Sequence, residues 1–235
     1  MQVEMFHHIG KRSDQQDAFL ISSDKKFFAV CDGLGGTEDG SVASTLAVEI
    51  LERQYQHTEA SLTSETFKML VYDCIHEINK IKEINTATTL VCLYIHQDKA
   101  YHCHVGDSKL FYISRNKEIW NVTKDHSVVQ ELFDAGVLET EEEMNTHPYR
   151  SKITKAISSK SIYELESLQI TEIKDLKNGD LFILCTDGVL ENYTNSDFAA
   201  YFYNPYGNFK TKLDLIENQC RTDSKDNSTL IIVKI

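Results

Sequence analysis

The chain has 235 residues and a formal net charge of −12. That length fits one domain with a large core, and that charge argues against nucleic acid as the main partner. Hydrophobic residues make up 41% and charged residues 26%, an ordinary water-soluble balance in which no apolar run approaches the ~20 residues of a membrane span.

The opening Met1-Gln2-Val3-Glu4-Met5-Phe6 lacks the basic and then apolar layout of a signal peptide. Six cysteines, Cys31, Cys74, Cys92, Cys103, Cys185 and Cys220, form no Cys-x-x-Cys pair and sit mostly inside apolar runs. They read as buried free thiols in a reducing cytoplasm rather than zinc or redox motifs.

Residues 2–9, 17–22 and 27–32 read as strands, with Asp24-Lys25-Lys26 as a turn. Residues 39–56 read as a helix through Val42, Leu46, Ile50 and Leu51. Residues 64–83 give a second through Phe67, Leu70, Val71, Cys74, Ile75, Ile78 and Ile81. Four strands follow at 88–96, 99–105, 109–114 and 118–122, turning at Gln97-Asp98-Lys99 and Arg115-Asn116-Lys117. A short helix from Val128 to Ala135 leads into a polar segment holding Glu139-Thr140-Glu141-Glu142-Glu143 and His147-Pro148. The stretch from 137 to 150 is either a flap beside a site or a solvated excursion.

Strands return at 167–173, 180–186 and 228–234, with helical stretches at 195–203 and 210–220 between the last two. Consecutive strands and paired helices predict an α+β fold of antiparallel sheets covered by helices, without the βαβ alternation of a parallel sheet. No low-complexity linker or repeat divides the chain, so residues 1–235 read as a single domain.

Chemistry concentrates in five aspartates at strand ends. Asp32 closes Phe27-Phe28-Ala29-Val30-Cys31 and Asp187 closes Leu181-Phe182-Ile183-Leu184-Cys185-Thr186, each followed by glycine. Asp17, Asp107 in Val105-Gly106-Asp107-Ser108, and Asp226 in Asp226-Asn227-Ser228 share the placement. A strand end aims a carboxylate rigidly, and a neighbouring glycine lets backbone come close to whatever the carboxylate holds. Hard oxygen ligands drawn from distant parts of a chain suit Mg²⁺ or Mn²⁺. Taken singly, each acid reads as readily as a turn residue or a helix cap; it is the set that points to a site.

The order Arg12-Ser13-Asp14-Gln15-Gln16-Asp17, Asp32-Gly33-Leu34-Gly35-Gly36, Ala87-Thr88-Thr89, Val105-Gly106-Asp107-Ser108, Thr123-Lys124-Asp125-His126-Ser127, Thr186-Asp187-Gly188 and Asp226-Asn227-Ser228-Thr229 resembles the metal-dependent PPM family. These are serine/threonine protein phosphatases of the 2C type, here in the short bacterial form. The resemblance runs from about residue 7 to residue 233. It implies a four-layer α-β-β-α sandwich and a binuclear Mg²⁺/Mn²⁺ centre. Asp32 would bridge both ions, the Gly33 carbonyl would ligate one, and Asp187 and Asp226 would complete the other. Asp17 would act nearby through bound water, and Asp107 would hold a third, looser ion, its alternative being a turn aspartate. Arg12 would fork two phosphate oxygens. The implied reaction is direct attack of a metal-activated water on phosphoserine or phosphothreonine in proteins. The implied partners are phosphorylated proteins and a cognate serine/threonine kinase, with no nucleic acid and no membrane.

Two departures stand out. Leu34 occupies a position where some members carry histidine, a proposed general acid, and Gln15 and Gln16 replace the asparagine and glutamate seen elsewhere. His126 reads as structural, and alternation along the first strand keeps His7 and His8 from sharing a metal. The competing functions are a catalytically silent binding module on the same fold and a hydrolase of another phosphoester such as a nucleotide. Intact Arg12, Asp32, Asp187 and Asp226 oppose the first. The missing glycine-lysine phosphate loop opposes the second.

Overall fold

Strands β3 (Phe27–Leu34) and β11 (Leu181–Cys185) are apolar almost to their ends, so both faces of each need cover. In the computed structural model, which describes residues 1–34, 40–58, 60–81, 87–161, 163–206 and 208–235, alternate residues of each strand enter different layers. Phe27, Ala29 and Cys31 pack against helices, in a cluster with Phe67, Val71 and Ile75. Phe28 and Val30 meet Phe182, Leu184, Ile231 and Val233 of the other sheet. Leu181, Ile183 and Cys185 face a second helix pair through Phe198, Phe202 and Ile216. The result is the expected four-layer sandwich.

One sheet orders β1 (Gln2–His8), β12 (Ser228–Lys234), β11, β7 (Lys109–Ser114) and β8 (Ile119–Val122). The other orders β10 (Thr171–Ile173), β6 (Lys99–Val105), β5 (Leu90–His96), β3, β4 (Ala87–Thr88) and β9 (Ile157–Ser158), with β2 (Asp17–Ile21) also paired to β3. Every pairing is antiparallel. Helices α1 (Gly40–Gln56) and α2 (Ser64–Lys80) cover the second sheet. Helices α5 (Asn195–Tyr203) and α6 (Phe209–Asp223) cover the first.

Between β8 and β9 lie α3 (Val128–Asp134) and α4 (Glu141–Thr146). The Thr140-x-x-Glu143 pattern starts α4 as a capping box: Thr140 accepts from the Glu143 amide, and Glu143 accepts from the Thr140 amide. The strand expected over 167–173 is shorter. Leu165–Ser167 form a 3-10 turn, and only Thr171–Ile173 pair, with Ala100–His102 of β6. Ile81 caps α2; residues 82 and 83 of the expected helix, position 39 of the helix before it, and Gly35 and Gly36 lie outside the described residues. Among the described residues no helix is long and apolar enough to cross a membrane.

Candidate active site

Period-two alternation delivers the site to one end of the layer between the sheets. On β3, Phe28 and Val30 face that layer, so Asp32 follows them. On β11 the series Phe182, Leu184 continues to Thr186, and on β12 the series Val233, Ile231 continues to Thr229. Asp17 lies directly opposite Asp32 in the β2–β3 register, and residues directly opposite share a face.

Asp32, Gly33, Asp107, Asp187, Asp226 and Arg12 line one cavity of about 240 Å³. Asp17 sits behind it, 6% exposed. Its Oδ2 accepts hydrogen bonds from Thr186 Oγ1 at 2.9 Å and Thr229 Oγ1 at 2.7 Å, which tie it across the sheets. Its Oδ1 and the Oδ1 of Asp187 are buried without a hydrogen-bond partner among the described residues. Asp32 is fixed through its backbone: its amide donates to Thr89 Oγ1 at 2.9 Å, and its carbonyl accepts from the Thr89 amide at 2.9 Å. Thr89 Oγ1 in turn meets Ser108 Oγ at 2.6 Å, beside Asp107.

Glycine is required where these segments touch. A Cβ on Gly33 would lie 2.1 Å from the Gly40 carbonyl oxygen. Gly106, before Asp107, adopts φ +101°, and a Cβ there would lie 2.6 Å from Thr89 Cγ2.

The carboxylates repel one another in a poorly hydrated place. Burial and then the charges of Asp187 and Asp226 push Asp17 up to about 7. Burial, Asp187 and Asp125 push Asp107 up to about 7. Burial and Asp226 raise Asp187 to about 6, partly offset by a hydrogen bond with Asp32. Asp32 is raised well above the usual carboxylate range by burial, then by Asp187, Asp17 and Asp107. Arg12 brings positive charge to the rim, its Nη2 2.5 Å from Asp226 Oδ2. Buried Lys109 pairs with Asp125 beneath Asp107.

An oxygen-only donor set, two orphaned buried carboxylate oxygens and mutual repulsion are what a hard divalent cation relieves, so these residues fit Mg²⁺ or Mn²⁺. As the side chains stand, no group of three or more His, Cys, Asp or Glu among the described residues is gathered closely enough to hold a metal ion, so a cation would have to draw the acids together.

The stretch from 137 to 150 does border the site. Glu141, Met144, Asn145 and Arg150 share a cavity of about 530 Å³ with Arg12, Asp107, Asp187 and Asp226. Its acids have local duties. Glu141 accepts from the Ser196 amide at 3.0 Å at the start of α5, and Glu143 caps α4.

His7 and His8 leave the first strand on opposite faces. His7 bonds Thr229 in the inter-sheet layer, whereas His8 reaches Glu217 on α6. His126 braces the Asp107 turn: its Nδ1 accepts from the Gly106 amide at 3.1 Å, and its ring stacks on His104. All six cysteines are free and buried.

Sequence reasoning missed the residues that hold the clustered acids and the Arg12 loop in place. Asn227 is 3% exposed. Its Nδ2 donates to the Ile9 and Asp14 carbonyls at 2.9 and 3.0 Å, and its Oδ1 accepts from the Gln16 amide at 2.8 Å. It thereby clamps the loop that carries Arg12. Thr186 and Thr229 hold Asp17, and for them alternation was the available signal.

The family profile described as Protein phosphatase 2C matches residues 6–216. The chain belongs to the protein phosphatase 2C family. Protein phosphatase PhpP of Streptococcus pneumoniae is 30% identical over 208 residues, covering 84% of this chain and 82% of that protein. The solved S. agalactiae serine/threonine phosphatase superposes with a TM-score of 0.82 at 26% identity, covering 100% of this chain and 99% of that one. The catalytic domain of the serine/threonine protein phosphatase PstP, solved in complex with two manganese ions, shares the fold with a TM-score of 0.80 at 21% identity, covering 99% of this chain and 97% of that one.

Proposed function

We propose that Asp32, Asp187, Asp226 and the Gly33 carbonyl hold two divalent cations, Mg²⁺ or Mn²⁺, in a serine/threonine protein phosphatase. Asp17 orders the site from behind, and Asp107 serves a third, looser position. The enzyme class is that of the family: the protein is a phosphoric monoester hydrolase acting on phosphoserine and phosphothreonine in proteins. The observation that carries the site assignment is the convergence of four carboxylates and one arginine on a single cavity, with Asp17 buried behind them.

Bound divalent cations supply Lewis acidity, which makes a water nucleophilic near neutral pH and offsets phosphate charge. The protein's own groups do the rest. The Thr186 and Thr229 hydroxyls hold Asp17 through one oxygen, leaving the other for the site. The Asp32 backbone is pinned on Thr89, which fixes the point from which its carboxylate projects. Arg12, half exposed on the rim, receives the phosphoryl oxygens as a planar fork. Leu34 has no proton to give, so the leaving oxygen takes its proton from another group. The wall built by α4 shapes the larger cavity through which a phosphorylated side chain enters.

A partner kinase supplies such substrates. Residues 1–235 act as one catalytic domain working in the cytoplasm, a reading that six free, buried thiols support.

The test is phosphate release from phosphoserine and phosphothreonine peptides, compared with nucleotides, with Mn²⁺ or Mg²⁺ and then with chelator. Release from the peptides that stops on chelation supports the proposal. Hydrolysis confined to nucleotides, or unchanged after exhaustive chelation, overturns it.

A further inference from the structure

His7 stands directly opposite Thr229 in the β1–β12 register, and both side chains face the inter-sheet layer. His7 Nδ1 lies 2.9 Å from Thr229 Oγ1, and Thr229 Oγ1 lies 2.7 Å from Asp17 Oδ2. A threonine hydroxyl has one proton. Asp17 is ionised whenever it serves a cation, so its Oδ2 can only accept, and Thr229 gives that proton to Asp17. His7 Nδ1 must then be the donor to Thr229. The Phe19 ring, 5.2 Å away and tilted by 59°, holds the imidazole in place. The outcome is a directional chain, His7 Nδ1–H to Thr229 Oγ1–H to Asp17 Oδ2, which stops the hydroxyl from turning away from the carboxylate.

We propose that His7 is a positioning residue for the cation site, acting through Thr229 to fix the Asp17 carboxylate so that its Oδ1 remains available to the cations or their water. This inference rests on the assignment of Asp17 to the cation site. Burial and the adjacent His8 lower the affinity of His7 for a second proton, so at neutral pH one nitrogen carries the hydrogen and its identity is informative.

Two measurements test the proposal. The first uses protein saturated with Mg²⁺ at pH 7.5 or above, where Asp17 is ionised: long-range ¹H–¹⁵N correlation spectra of the imidazoles, assigned through His7→Asn. Nδ1–H on His7 is expected. Nε2–H overturns the proposal, because Nδ1 would then take the Thr229 proton away from Asp17. The second is calorimetric titration of Mn²⁺ into wild type, His7→Phe and His7→Asn. An asparagine amide can replace the Nδ1–H donor, whereas phenylalanine keeps only the packing on Phe19.

Loss of an outer hydrogen bond of this kind weakens metal affinity roughly 10–100-fold. His7→Phe should show that loss and His7→Asn should recover most of it. Wild-type affinity in His7→Phe, or an equal loss in both variants, overturns the positioning role. If His7→Phe does not fold, the tautomer and the His7→Asn titration still decide. A wild-type protein that binds no Mn²⁺ at all instead overturns the cation assignment under Proposed function.

Discussion

Arg12 Nη2 stands 2.5 Å from Asp226 Oδ2, joining the first-strand loop to the segment before β12 at the rim of the carboxylate cluster. Arg12 also feels the charges of Asp187 and Asp32, and its side chain is 51% exposed. It is therefore held over the acids while remaining free to turn toward an arriving phosphate. Arg12→Ala should leave metal content intact and raise KM for an aryl phosphate, with a smaller fall in kcat. A charge-assisted hydrogen bond is worth about 1.5–3 kcal/mol, so kcat/KM should fall by roughly 10- to 160-fold. Steady-state kinetics with metal analysis check this. Loss of metal in Arg12→Ala contradicts the assignment.

The buried acids set a pH dependence on the metal-free fold. Asp17 and Asp107 are held at about 7 and Asp187 at about 6, against about 3.9 for an unfolded aspartate. Between those values the folded chain binds more protons than the unfolded one. The stabilisation is complete below the unfolded value and is lost as pH rises through 6 to 7. The Tm of chelated protein should fall between about pH 5.5 and pH 8, and saturating Mn²⁺ should flatten that fall by replacing the protons. A chelated Tm that rises across this window contradicts the electrostatic account.

Asn227 joins the last motif to the first. Asn227→Ala would leave the Gln16 amide without its partner and the Ile9 and Asp14 carbonyls without theirs. The cost should be about 1–3 kcal/mol of stability, and KM should rise in the manner of Arg12→Ala because the arginine loop loosens. Denaturant unfolding paired with kinetics reads both effects. A variant as stable as wild type, with unchanged KM, shows that the clamp carries neither.

No thiol is available as a nucleophile. All six cysteines are buried, and burial pushes even the Cys220 thiol up to about 11. Iodoacetamide treatment of folded protein should leave phosphate release unchanged. Inactivation that tracks modification of one cysteine contradicts hydrolysis without a covalent intermediate.

Much of this was legible because the central strands announce themselves. Phe27 to Cys31 and Leu181 to Cys185 are apolar on both faces, and the aspartates follow at their ends. The short strands β4 and β9 pair only two residues each, too few for a periodic signal. The 3-10 turn at Leu165–Ser167 escaped for a similar reason, since its neighbours were read together with β10. The α4 helix carried a legible capping box, yet its acidic run suggested a solvated stretch. The acids were legible in the site; their holders were not. Thr186, Thr229 and Asn227 act at sequence separations of 169, 212 and 211 residues from their partners; alternation gives the face of the two threonines but not the partner they meet.

Hydrolysis should depend on cations held by the carboxylate cluster. The most direct measurement is the Mn²⁺ stoichiometry of wild type and Asp32→Asn by calorimetry, with phosphopeptide turnover measured on the same samples. Asn keeps the shape of the side chain but removes the charge placed between Asp17 and Asp187. Wild type should bind two ions tightly and turn over substrate, and Asp32→Asn should lose tight binding together with most of its turnover. An Asp32→Asn protein that keeps both ions and full turnover would contradict the account.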